Sequence, residues 1–170
     1  MGDARLLQMS QPVREIPSAQ LTQLLGDMRD TMMALSGAGI AAPQIGVPLR
    51  VVIFGLTHNP RYPDAEPVPD TVLINPEIVS LGSQMREHEE GCLSIPDERV
   101  MIERPSQVAV RYLDREGKPQ ELVAEGLLAT AIQHEIDHLN GKLIIDFLSR
   151  LKREMIVRKF RKKAKAEATA

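Results

Sequence analysis

At 170 residues, 43% of them hydrophobic, the chain has the size of one domain with a sizeable core. Aromatic residues make up 3% and tryptophan is absent, so that core is built from Leu, Ile, Val, Met and Ala. The single cysteine, Cys92, excludes an internal disulfide and a stapled secreted fold, and no apolar run is long enough for a membrane span.

With no charged-then-apolar leader, a soluble cytoplasmic protein is expected. The net charge of −2 hides an asymmetry, since nine Lys or Arg from Arg150 onward face only Glu154 and Glu167. That tail sums to +7 and follows a body of −9. Residues 1–17 read as irregular, broken by Pro12 and Pro17, and Ser18 is placed to cap a helix. Leu21, Leu24, Leu25, Met28, Met32 and Leu35 then recur at helical spacing as a core stripe, which Gly37 would end in the left-handed conformation.

The run 37–46 places small residues between glycines, so its backbone can approach another backbone or a ligand closely. A tight helix-to-strand turn is the plainest reading. The run lacks the Gly-Lys-Ser/Thr of a phosphate loop and the third glycine of a dinucleotide fingerprint. Within it, Gln44 offers a side-chain amide able to donate to a developing oxyanion. Residues 50–54 and 72–74 read as strands, separated by an exposed loop, 58–69, that holds four prolines and a solvated His58. Another short strand follows at 77–80. The polar run 84–90 makes His88 a weaker ligand candidate. Residues 107–112 and 121–123, joined by a turn at 114–117, read as a hairpin.

The chemistry concentrates in Gln133-His134-Glu135-Ile136-Asp137-His138. Histidines four apart on a helix share one face and reach one metal ion, while the intervening glutamate can take a proton from water there. Leu127, Leu128, Ala131, Ile132, Ile136 and Leu139 supply an apolar stripe beside them, and Asn140-Gly141 is the stop signal. A third ligand is required. Glu154 stands twenty residues after His134 but is flanked by Lys152 and Arg153 on a tail helix, which leaves Cys92 or Asp146. Gly91, before Cys92, suits a backbone squeezed against a site. Ser149 is placed to cap the last helix, with Leu151, Met155, Ile156 and Phe160 on one stripe and basic residues on its other faces.

The residues alone thus lead to a metal-dependent hydrolase. An endopeptidase and a non-catalytic metal-stabilised module that binds ribosomes through its tail are the other two classes. Metal-dependent activity of any kind separates the second.

Three segments stand in a fixed order: Gly37-Ala38-Gly39-Ile40-Ala41-Ala42-Pro43-Gln44, Glu90-Gly91-Cys92-Leu93-Ser94, and the His134 to His138 helix. Together they resemble the peptide deformylase family, from about Asp3 to the basic end. The resemblance implies an α+β fold, mixed or antiparallel strands around a central metal-binding helix, with a C-terminal helix. Residues 1–149 would form the catalytic part, and 150–170 a basic helix and tail of the same domain. It implies removal of the N-formyl group from new polypeptides, with Cys92, His134 and His138 as metal ligands. Glu135, Gln44 and the Leu93 backbone N–H would be the catalytic groups, and Ala38, Gly39, Glu90, Gly91 and Thr130 would bind substrate.

The family also favours ferrous iron, with Zn²⁺, Ni²⁺ or Co²⁺ as substitutes, and ribosome docking through the basic tail. A narrow apolar slot for an unbranched first side chain such as methionine is expected. Departures from the family pattern are Ala38 in place of a larger aliphatic residue, and His88 and Thr130 where apolar pocket residues are common. The chain opens at Met1-Gly2-Asp3, where relatives usually carry a preceding strand, so a shorter edge or an upstream start is expected. The 58–69 loop exceeds that of the shortest relatives.

Overall fold

The computed structural model describes residues 3–56 and 67–167. The chain runs α1 (Ala19–Ala34), β1 (Gly39–Ala41), β2 (Val51–Leu56), β3 (Val68–Leu81), β4 (Met85–Cys92), β5 (Ile95–Pro105), β6 (Gln107–Leu113), β7 (Pro119–Glu125), α2 (Gly126–Leu139) and α3 (Arg150–Glu167). Short 3₁₀ turns occupy Ala4–Leu7, Ala42–Ile45 and Ile144–Phe147. A five-stranded antiparallel sheet has the order β1-β2-β3-β6-β7, and β4-β5 form a separate two-stranded sheet. The expected α+β class holds, with antiparallel pairing in both sheets.

Ser18 caps α1 as expected, its Oγ accepting from the Leu21 N–H at 3.2 Å. Leu21, Leu24, Leu25, Met28 and Met32 are buried against Ile40, Val51, Ile53 and Ile74 on one face of the large sheet. Leu35, assigned to the same stripe, is half exposed at the helix end. The left-handed residue is Ser36 (φ 51°), not Gly37. At Gly37 the backbone runs close against side chains, since a Cβ there would meet Leu93 Cδ1 at 2.8 Å and Met32 Cγ at 3.3 Å.

The strands expected at 72–74 and 77–80 are one strand, β3, which begins at Val68, inside the expected loop. Its register shifts between Ile74 and Glu77, where Asn75 adopts φ 52° and its amide ties both backbone groups of Val13, at 2.8 and 2.9 Å. The Asn75-Pro76 break made one kinked strand read as two. His58 and the rest of the loop up to residue 66 lie outside the described residues. The 107–123 hairpin is present as β6 and β7.

α2 lies between the two sheets. Ala129, Ile132, Ile136 and Leu139 pack on Val52, Phe54, Leu73, Val108 and Val110 of the large sheet. Its opposite side meets the β4-β5 pair through Gln133 Nε2, which donates to the Pro105 carbonyl at 3.0 Å, and through Asp137, which pairs with Arg104. The polar run 84–90 is therefore strand β4, paired with β5 from Met85↔Pro105 to Gly91↔Arg99.

Ile156, Val157 and Phe160 of α3 pack against the cluster of Leu6, Ile95, Val100, Ile102 and Ile144. Leu151 and Met155, expected in that stripe, are 70% and 63% exposed. Met155 and Ile156 are adjacent in sequence and so point about 100° apart around the helix axis, which splits the expected stripe in two.

Candidate metal centre

Two elements converge on one cavity. From α2 come Leu127, Thr130, Ala131, His134 and Glu135, which fall at i, i+3, i+4, i+7 and i+8 on one helical face. From β4 come His88, Glu90 and Cys92, alternate residues and hence one face of the strand. Gly37, Ala38, Gly39 and Gln44 close the remaining side, with Gly91 and Leu93 at the end of β4 and in the turn beyond it.

The Cys92 Sγ and one ring nitrogen of each of His134 and His138 all lie within 4.8 Å of one another. Cys92 Sγ is 3.2 Å from His138 Nε2. The His134 Nδ1–H donates to Glu90 Oε2 at 2.9 Å, which fixes the tautomer and leaves Nε2 with a lone pair to give. Glu90 is itself clamped by Arg104, Nε to Oε1 at 2.5 Å and Nη2 to Oε2 at 3.0 Å. Arg104 also reaches Asp137 Oδ2 at 2.8 Å, with its guanidinium 4.8 Å over the Phe147 ring. Burial alone would raise the Glu90 carboxyl, but hydrogen bonds from His134 and Arg104 and the Arg104 charge hold it below its ordinary value.

The donor set fits a divalent cation. A thiol sulfur and two imidazoles are soft and borderline ligands that leave a coordination position open, as catalytic sites require. Burial and the neighbouring cations His134 and Arg104 push His138 well below its ordinary value, so its ring stays neutral and able to donate a lone pair. At His134 burial opposes a charge, yet hydrogen bonds with Cys92 and Glu90 and the charge of Glu135 outweigh it and raise the pKa well above the ordinary value. Surroundings that favour a proton on this ring favour a metal cation in the same field.

Glu135 is buried beside the ligands, and its Oε2 has no hydrogen-bond partner among the described residues. Burial pushes its carboxyl up to about 7, against the pull of the His134 charge and with the help of Glu90 and Asp137. Gly39 presses on it, since a Cβ there would meet Glu135 Oε1 at 3.0 Å and the Phe54 ring at 2.8 Å. Gln44 is fixed by the Ala41 N–H, which donates to Oε1 at 2.9 Å. Its Nε2 then points to Ser94 Oγ at 3.2 Å and lies 3.8 Å from Cys92 Sγ.

The rival third ligands are engaged elsewhere. Asp146 accepts from the Leu143 N–H at 2.8 Å and pairs with Arg153 at 3.0 Å, and Glu154 pairs with Arg150 at 3.0 Å. Of the residues expected to bind substrate, Ala38, Gly39, Gly91 and Thr130 line the cavity. Glu90 lines it too, but its carboxylate is committed to His134 and Arg104. The sequence reading missed Arg104, Asp137 as its partner, and Ser94. A signal for Arg104 existed: Val100, Ile102 and Arg104 alternate along β5 and all are buried, at 4%, 2% and 5% exposure.

Residues 1–154 match the model of the polypeptide deformylase family. The chain belongs to the peptide deformylase family. It is 51% identical over 168 residues to the peptide deformylase of Mesorhizobium japonicum, covering 99% of this chain and 92% of that one. Against the Bartonella tribocorum enzyme the identity is 47% over 169 residues, covering 99% and 93%. Among solved structures, a class I type b peptide deformylase from Acinetobacter baumannii with Met-Ala-Ser bound is similar at a TM-score of 0.84 and 44% identity, covering 87% of this chain and 94% of that one. The Legionella pneumophila peptide deformylase gives 0.85 at 44% identity, covering 100% and 95%. Peptide deformylases are metal-dependent hydrolases that remove the N-formyl group from newly made polypeptides.

Proposed function

We propose that deformylation in this chain is carried by one divalent metal ion on Cys92, His134 and His138, with Glu135 moving the proton. The observation behind this is the convergence of three ligand atoms within 4.8 Å beside a buried carboxylate oxygen that has no other partner among the described residues. Such an ion supplies Lewis acidity, which lowers the pKa of water and draws charge onto a carbonyl oxygen. Glu135 accepts the proton of the attacking water at Oε2 and returns it to the departing amine, a task matched to a carboxyl pushed up to about 7. Gln44 Nε2 and the Leu93 backbone N–H donate to the negative charge that develops on the formyl oxygen. Arg104, through Glu90, keeps His134 in the tautomer that can bind metal.

The peptide lies extended against backbone at Gly39, Glu90 and Gly91, where main-chain hydrogen bonds ignore sequence beyond the first residue. Ala38 and Thr130 face that first side chain. The Met-Ala-Ser bound to the Acinetobacter baumannii relative supports a methionine there. The native ion is ferrous iron: thiolate and imidazoles satisfy zinc equally well, so the preference rests on the family resemblance, with Zn²⁺, Ni²⁺ and Co²⁺ as substitutes.

The enzyme works in the cytoplasm, a reading supported by a single cysteine that suits a reducing compartment and by new polypeptides as substrates. Its substrates emerge from ribosomes, and the basic face of α3 docks there. The packing of Ile156, Val157 and Phe160 supports reading α3 as part of the same domain as the catalytic residues. The test is formate release from formyl-Met-Ala-Ser by anaerobically purified protein with its metal quantified. Formate and free peptide in equal amounts, with no release of acetate from acetyl-Met-Ala-Ser, is the expected result. A fully metallated protein that releases no formate would overturn the proposal.

A further inference from the structure

The first-residue pocket departs from a plain apolar slot at one atom. His88 stands on the inward face of β4, two residues before Glu90 and four before the ligand Cys92. Its Nε2 is buried, and no described residue hydrogen-bonds to it. Across the cavity Thr130 lies one helical turn before His134, and its hydroxyl already donates to the Gly126 carbonyl at 3.2 Å. Leu127, Ala131 and Ala38 complete this end of the cavity with apolar surface. Four residues along a strand is about 13 Å and one helical turn about 5 Å, so His88 stands farther from the ligand on its own element, Cys92, than Thr130 does from His134, and both line the cavity.

We propose that His88 is a specificity-determining residue that lets this cavity accept formyl-methionine sulfoxide as well as formyl-methionine. The inference rests on the deformylase reading and names a further substrate for the same site. Oxidation at sulfur keeps the side chain unbranched at Cβ and adds one oxygen that is a strong acceptor. In an apolar slot that oxygen would lose its water and gain nothing. With its proton on Nε2, the His88 ring donates to it, so the buried donor and the buried acceptor satisfy each other. The thioether of methionine is a weak acceptor and norleucine is none, so their binding depends little on His88.

The experiment compares kcat/KM, read as formate release, for formyl-Met-Ala-Ser and its sulfoxide and norleucine analogues in wild type, His88→Leu and His88→Gln. Wild type should process the sulfoxide within about tenfold of methionine. In His88→Leu the ratio of the sulfoxide rate to the norleucine rate should fall by at least about tenfold, because an unsatisfied polar group weighs only on the substrate that carries it. His88→Gln, which retains a donor, should restore part of the loss. An unchanged ratio of sulfoxide to norleucine in His88→Leu, or rejection of the sulfoxide by wild type by more than about 100-fold, would overturn the proposal. Norleucine turnover verifies that each variant is folded. Absence of formate from every substrate would instead refute the deformylase reading itself.

Discussion

α2 and β4 each present three side chains at the same site, but they are held there by different forces. α2 offers His134, Glu135 and His138 from a helix whose apolar buried residues, Ala129, Ile132, Ile136 and Leu139, pack on the large sheet, with Thr130 and Gln133 as its other buried polar residues. β4 offers His88, Glu90 and Cys92 from a strand with a mostly polar inward face, and Arg104 of β5 neutralises Glu90 at its centre. The helix is positioned by burial. The strand is positioned by a buried ion pair whose side chains are only 6% and 4% exposed, and such a pair is costly to break from one side. Substitutions in α2 should remove chemistry and leave the fold, whereas substitutions behind β4 should remove both.

The largest expected effect is at Glu135. Glu135→Ala should keep the metal, since the ligands are intact, and lose roughly 10²- to 10⁴-fold in kcat. Its thermal stability should hold or rise, because a buried carboxyl whose Oε2 has no partner among the described residues is removed. Cys92→Ala should lose the metal together with activity. Metal analysis beside the formate assay separates the two variants, and near-normal turnover in Glu135→Ala would rule out its role.

Arg104→Met sharpens the other half of the comparison. It leaves Glu90 buried without its cation and releases Asp137, a change that should cost about 3–5 kcal/mol in urea unfolding. Glu90→Gln in the same chain should recover much of that loss, because the uncompensated charge is gone, but His134 should still bind metal more weakly. Equal stability of Arg104→Met and wild type would show that burial holds β4 as well.

Gly39→Ala tests the contact between β1 and α2. The new methyl group would collide with Phe54, a core ring that cannot move freely, and with Glu135 Oε1. Overpacking of this kind costs about 1–3 kcal/mol. Part should appear as a lower kcat, since Glu135 is displaced. A stability loss with unchanged kcat would mean that Phe54 alone absorbs the strain.

The same contrast explains what could be read from the sequence. His134, Glu135 and His138 fall within one helical turn, and the apolar residues around them repeat at 3.6, so both the element and its chemistry were visible in a short window. β4 was invisible as a strand because its inward residues are His, Glu and Cys, which erases the alternation on which a strand assignment depends. Cys92 was found through the need for a third ligand, while Glu90 entered only with the family motif, as a substrate-binding residue and not as the partner of His134 and Arg104. Arg104 lies 14 residues from Glu90 in sequence, and only the β4-β5 pairing brings the two together. Asn75 and α3 failed for a similar reason, since a kink fastened to Val13 and the choice between two helical stripes are both decided by distant partners.

The smallest effect is expected at the basic helix, none of whose described residues lines the cavity. Some cations of α3 are spent on the body of the enzyme, Lys159 on Glu98 at 2.5 Å and Arg153 on Asp146 at 3.0 Å. Arg158, Arg161 and Lys162 are exposed, and substitution there spares the packing of Ile156, Val157 and Phe160. Replacing these three by Gln should change kcat/KM on a short formyl peptide by less than about twofold, because the charges are screened over about 8–10 Å at ordinary salt. Ribosome co-sedimentation should behave otherwise. If α3 meets RNA phosphates, each lost contact reduces the slope of log affinity against log salt by a little under one, so the triple variant should lose roughly two to three from that slope and bind weakly even at low salt. An unchanged slope would place any ribosome contact on another surface and would leave α3 as a packing element alone.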